Sequence, residues 1–121
     1  MSVILNTREV RGFVVLDLSG RLTILDESLR DTVRECLKAG KRQFILKMND
    51  LAYMDSCGLG QLVSVYISVR NAGGNLRLLS PGKKCRELLR ISKLDTVFDI
   101  IEDAAPFEPA AKSTAMTKGV N

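Results

Sequence analysis

The chain has 121 residues, 45% of them hydrophobic and 26% charged, which suits one soluble domain with a single core. There is no histidine, which removes Ser-His-Asp and Cys-His catalysis and the commonest metal ligand, and the net charge of +4 is too mild and too scattered to argue for nucleic acid. Three cysteines, Cys36, Cys57 and Cys85, are an odd number without metal-ligand spacing and read as free thiols in a reducing compartment.

In chain order, Val3 to Arg8 and Phe13 to Leu18 are β-like runs around Glu9-Val10-Arg11-Gly12, short enough for a hairpin. Gly20 should break the second strand. A helix can start at Asp26 or Ser28; Leu29, Val33 and Leu37 recur on one face, and Gly40 is its stop signal. Gln43 to Met48 reads as a buried strand. A helix from about Cys57 to Ala72 follows, capped by Asp55 or Ser56 and ended by Gly73-Gly74. On it Gln61, Ser64, Ser68 and Asn71 form a polar stripe. Leu59, Leu62, Val63, Tyr66 and Val69 form the core face, with Val65 and Ile67 at the edges of the stripe.

Asn75 to Leu79 is the next strand, stopped by Pro81-Gly82. Lys83 to Ile91 is a helix that turns Cys85, Leu88, Leu89 and Ile91 inward, and Val97 to Ile101 is a last strand. The cluster Lys83, Lys84, Arg86 and Arg90 reads as a solvated helix face, since no aromatic residue interleaves it. The order ββαβαβαβ implies an α/β fold with a mixed five-stranded sheet packed by helices. Val14, Leu16, Ile45, Leu46, Leu62, Val63 and Leu78 are the expected core. Residues 1–105 are expected to form the domain. Residues 106–121, rich in Pro and Ala, are expected to form a mobile tail or a weakly held final helix. No long apolar run or signal-peptide core is visible, so a cytoplasmic protein without membrane insertion is expected.

The organising stretch is Met54-Asp55-Ser56-Cys57-Gly58-Leu59-Gly60, a strand-to-helix turn at the carboxyl end of a strand, where α/β sheets meet ligands and partners. Helix capping alone is the plain reading of Ser56, and Gly58 and Gly60 leave room for another backbone to approach. Cys57 sits where a helix dipole favours thiolate, although a small packing residue is the simpler account. Gly58-Leu59-Gly60 lacks the third glycine of a dinucleotide fingerprint, since Val63 stands there, and no phosphate-binding loop is present. A Ser-Lys hydrolase is open on residue types alone, but nothing places a lysine beside Ser56.

Asp55-Ser56-Cys57-Gly58-Leu59-Gly60 resembles the D-S-x-G-L-G signature of the STAS family, in particular its anti-sigma factor antagonists, and the resemblance runs from about Val3 to Asp103. Gly20, Leu51, Met54, Gly73-Gly74, Leu88, Leu89, Ile91-Ser92-Lys93-Leu94 and Phe98 fit the same pattern. The family usually has glycine where Lys93 stands, and often an acidic residue soon after Gly20, where this chain has Arg21 and Thr23. The resemblance implies a STAS-like domain with Ser56 as phosphoacceptor and Asp55, Ser56, Cys57, Gly58, Leu59, Gly60 and Gln61 at the partner surface. It implies no catalytic, cofactor or metal residues. The implied partners are an anti-sigma factor with serine kinase activity and a phosphatase for the phosphorylated form, without direct nucleic-acid contact. The other class is a STAS scaffold or regulatory subunit that is not phosphorylated, for example in a lipid-transport complex.

Overall fold

The computed structural model describes residues 3–23, 27–102 and Pro106. The chain order is β1 (Val3–Val10), β2 (Phe13–Leu22), α1 (Ser28–Lys38), β3 (Gln43–Met54), α2 (Ser56–Asn71), β4 (Asn75–Leu79), α3 (Lys83–Ile91), a 3-10 turn (Leu94–Thr96) and β5 (Asp99–Ile101). The five strands lie in the sheet in their sequence order, β1-β2-β3-β4-β5. β1 pairs antiparallel with β2, and every later neighbour is parallel. This is the mixed five-stranded sheet expected from the element order. The final helix expected after residue 105 lies outside the described residues.

The hairpin between β1 and β2 closes on Arg11 and Gly12 alone, both at positive φ (53° and 87°), the twist that suits a two-residue turn. The expected loop was two residues longer, because Glu9 and Val10 stay in the ladder opposite Val14 and Phe13. Gly20 does not end β2. It adopts φ +90° inside an irregular stretch of the β2–β3 ladder, and pairing resumes through Arg21↔Tyr53 and Leu22↔Met54. A bulge of this kind bends a strand without stopping it. β3 likewise runs six residues past Met48, since Ser19 to Leu22 supply a parallel partner for Asp50 to Met54.

In-register rows build the core. Val14, Phe44 and Leu76 lie side by side, as do Leu16, Leu46 and Leu78, all on one face of the sheet. Against them pack Leu29 and Val33 of α1, Leu59, Leu62, Val65 and Val69 of α2, and Cys85 and Leu89 of α3. The three helices therefore share one face. Val15, Ile45 and Leu79 form a separate, smaller cluster on the other face with Val10, Phe13 and Ile101. The Tyr66 and Phe98 rings meet edge-on with centroids 5.0 Å apart and join α2 to the segment before β5.

Three assignments on helix faces change. Val63 is half-buried, because the inward stripe of α2 is centred on Leu62, Val65 and Val69. Ile91 ends α3 pointing outward and is 69% exposed. Gln61 leaves the expected polar stripe and is buried at 6% exposure. The last strand begins at Asp99, since Leu94–Thr96 closes a 3-10 turn first and Phe98 is buried beside it. Helix ends follow expectation more closely. After α1, Lys41 N–H donates to the Cys36 carbonyl and Gly40 N–H to that of Leu37; Gly74 and Gly73 repeat the pattern on Val69 and Arg70 after α2.

Candidate functional site

The site is the step from β3 into α2. Asp55 is extended (φ −101°, ψ −173°), and its carboxylate Oδ1 accepts from the Gly58 amide at 2.8 Å. Its carbonyl accepts the first helical bond, from Leu59 N–H at 2.9 Å. Asp55 is therefore the N-cap and Ser56 is the first helical residue. Ser56 does not cap the helix. Its side chain is exposed and, among the described residues, makes no hydrogen bond.

The two glycines have different jobs. A Cβ on Gly58 would stand 2.1 Å from the Leu22 carbonyl oxygen and 3.0 Å from Met54 Cγ, so this glycine lets the helix start press on the end of β2. It serves the chain's own packing and leaves no room there for a partner. Gly60 is exposed, with open space where its Cβ would be. Cys57 is exposed and Leu59 is buried, so the turn shows Ser56, Cys57 and Gly60 to solvent and keeps Gly58, Leu59 and Gln61 inside.

Gln61 has a role that spacing did not reveal. Its side-chain amide donates to the Thr23 carbonyl, tying α2 to the segment that leaves β2. Its own Oε1 is buried without a partner. Beside this tie, the Arg21 guanidinium lies over the Tyr53 ring at 4.1 Å, a cation–π contact across the paired ends of β2 and β3. Arg21 and Tyr53 join the neighbourhood of Ser56 by strand pairing, a relation invisible without the register. No cluster of three His, Cys, Asp or Glu that could hold a metal occurs among the described residues. Among them, too, no helix is long and apolar enough to cross a membrane. The turn offers an uncommitted hydroxyl at a helix N-terminus, with the neighbouring carboxylate engaged in capping.

Residues 5–106 match the STAS domain family. The chain belongs to that family. Its sequence is 33% identical over 73 residues to a Thermotoga neapolitana protein provisionally named an anti-sigma factor antagonist; the match covers 58% of this chain and 65% of that one. The crystal structure of a Thermotoga maritima protein of the same provisional name superposes with a TM-score of 0.75 at 26% identity, covering 84% of this chain and 88% of that one. The Bacillus cell fate determinant SpoIIAA in its phosphorylated form gives a TM-score of 0.67 at 23% identity, covering 84% of this chain and 95% of that one. These likenesses establish the α/β STAS fold with its five-stranded mixed sheet and three helices.

Proposed function

We propose that this STAS protein is a cytoplasmic anti-sigma factor antagonist. In its unphosphorylated form it binds an anti-sigma factor of the serine-kinase type and so frees a sigma factor; phosphorylation of Ser56 switches it off. The observation that carries the reading is the placement of Ser56, exposed, first in α2 and free of the capping bond that Asp55 makes. The similarity to named anti-sigma factor antagonists and to a protein known in a phosphorylated form supports it. On this reading the STAS domain occupies residues 1–105, and 106–121 is an appended tail.

The chain is a non-enzymatic regulator and contributes one hydroxyl. The kinase supplies ATP, magnesium and the base; a phosphatase restores the free serine. A phosphoryl group adds about 1.5 to 2 negative charges near neutral pH. A helix N-terminus holds such a group well, because its free N–H groups and its dipole favour anions. The modification therefore leaves the fold intact and acts at the interface, through bulk, desolvation and repulsion added to the Asp55 charge. Of the partner surface read from the motif, Asp55, Ser56, Cys57 and Gly60 make direct contact, while Gly58, Leu59 and Gln61 set the backbone beneath them.

Calorimetric titration of a serine-kinase anti-sigma factor with wild type, Ser56→Ala, Ser56→Asp and the phosphorylated protein tests this, with melting curves alongside. Wild type and Ser56→Ala should bind; the other two should bind poorly while melting normally. Tight binding by Ser56→Asp, or intact-mass spectra without phosphate on Ser56 after incubation with such kinases and ATP, would overturn the switch and favour a scaffold role.

A further inference from the structure

We propose that the docking surface runs from the Ser56 turn into a groove between the end of β3 and α3, and that this groove takes an acidic segment of the partner carrying a large apolar side chain. The proposal rests on the reading of Ser56 as the partner site. The groove has a volume of about 240 Å³ and is lined by Tyr53, Met54, Lys84, Glu87, Leu88 and Ile91. Its wall includes Tyr53 and Met54, three and two residues before Ser56, so it continues the candidate site along the chain.

Its apolar lining is concentrated around one exposed side chain. Ile91 is 69% exposed and stands beside the half-buried Leu88 and Tyr53. A single exposed isoleucine needs no explanation, but Ile91 shares one concavity with Tyr53, Met54 and Leu88 close to the Ser56 turn, which gives an incoming apolar side chain a seat. The volume admits one large side chain at a time, which fits an anchor residue from a partner segment.

The charges around the groove choose the partner. Lys84 lines it, is exposed and enters no ion pair among the described residues. Arg21 brings a second cation to the Tyr53 wall, held there by its stacking contact and engaged by no carboxylate among the described residues. The one acid in the lining, Glu87, faces Arg90 at 3.7 Å, so its charge is already offset. Two cations without a carboxylate partner among the described residues, beside an apolar pocket, complement a segment rich in Asp or Glu with an exposed Leu, Ile, Met or Phe. Phosphorylation of Ser56 then has a second route of action. Its charge arrives at the rim of a basic groove, where it competes with the partner's carboxylates for Lys84 and Arg21 and repels them.

The test uses a panel of purified serine-kinase anti-sigma factors with the full chain. Phosphate transfer to Ser56 is read by intact mass, and affinity by calorimetry at low and high salt. Lys84→Glu and Arg21→Glu should each weaken binding roughly tenfold and flatten its salt dependence. Ile91→Asp should weaken it comparably, and Lys84→Ala by less. All three positions are on the surface, so melting temperatures should stay near wild type. Arg30→Glu on α1 makes the same change in net charge away from the groove and should leave affinity unchanged. If a kinase binds wild type, Lys84→Glu and Arg21→Glu alike, or if Arg30→Glu weakens binding equally, the groove is not the dock and the antagonist reading stands alone. If no kinase in the panel binds or phosphorylates the wild type, both readings fall.

Discussion

The Asp55 carboxylate caps α2 through the Gly58 amide, which leaves the hydroxyl of Ser56 outside the helix's own hydrogen bonding. The capping bond and the free hydroxyl are thereby carried by adjacent residues. Ser56→Ala should change stability only slightly, because no cap is lost. Asp55→Ala should cost about 1 kcal/mol, the usual loss on removing a side-chain cap. Urea denaturation of the two variants gives the comparison, and a larger loss for Ser56→Ala than for Asp55→Ala would contradict it.

Gly58→Ala should be far worse than Gly60→Ala. The added methyl at 58 meets the Leu22 carbonyl oxygen at 2.1 Å, and backbone must move to admit it, whereas at 60 it meets nothing within 4 Å. Overpacking of this kind costs roughly 1 to 3 kcal/mol. At 60 the change should be neutral or mildly stabilising, since alanine is the better helix former. Thermal melts separate the two. Equal melting temperatures would mean that α2 is not seated on β2 as described.

Lys93 stands in the left-handed region at φ +64°, where side chains other than glycine are strained. This is the position at which the STAS pattern usually has glycine. Lys93→Gly should therefore stabilise the chain, by up to about 1 kcal/mol after the greater entropy loss of glycine is subtracted. A fall in the denaturation midpoint would argue against the strained backbone.

The thiols should differ in reach. Cys57 is exposed, Cys36 half-buried and Cys85 buried. A maleimide should modify Cys57 first and Cys85 last in the native protein, and all three at similar rates in denaturant. Burial pushes the Cys85 thiol above its ordinary pKa. The folded chain thus holds that proton more tightly than the unfolded chain. Its contribution is fully present below the ordinary thiol value of about 8.5 and is lost as pH rises through the higher folded value. Alkaline destabilisation should set in above the ordinary thiol value and level off past the folded one, and Cys85→Ala, though less stable overall, should lack that component.

Gln61→Glu should destabilise at neutral pH by roughly 2 to 3 kcal/mol, since it buries a charge and replaces the donor to the Thr23 carbonyl with an acceptor. Acid should relieve part of this, because protonation restores a donor. Denaturation of the variant at two pH values checks the sign.

The elements that carry their own punctuation were legible in the sequence. β4 and α3 fall on Asn75–Leu79 and Lys83–Ile91 as read, because glycines, a proline and clean periodicity bound them. What escaped depends on distant partners. Asn49 to Met54 lie past the strand read from the sequence, and belong to it because Ser19 to Leu22 pair beside Asp50 to Met54. The turn at Asp55 to Gly60 stood out in the sequence as the candidate site, but its interior geometry was not legible there. Which of Asp55 and Ser56 caps the helix, and whether Gly58 faces a partner or Leu22, is decided by backbone brought from β2. Gln61 looked polar and outward by helical spacing, yet the Thr23 carbonyl gives its amide a reason to be inside.

The order of the strands has a bearing on how the chain is made. Because every strand lies beside its predecessor in sequence, each new strand emerging from the ribosome finds its neighbour already in place, and the sheet can grow in one direction. Vectorial growth leaves a moving bare edge. Until β4 has been synthesised, β3 offers Phe44 to Met48, its most apolar stretch, as an unpaired edge. For that interval the nascent chain resembles an aggregation-prone sheet. Substitutions that delay β4, such as Leu76→Pro, should therefore lower soluble yield more than their effect on the finished fold accounts for.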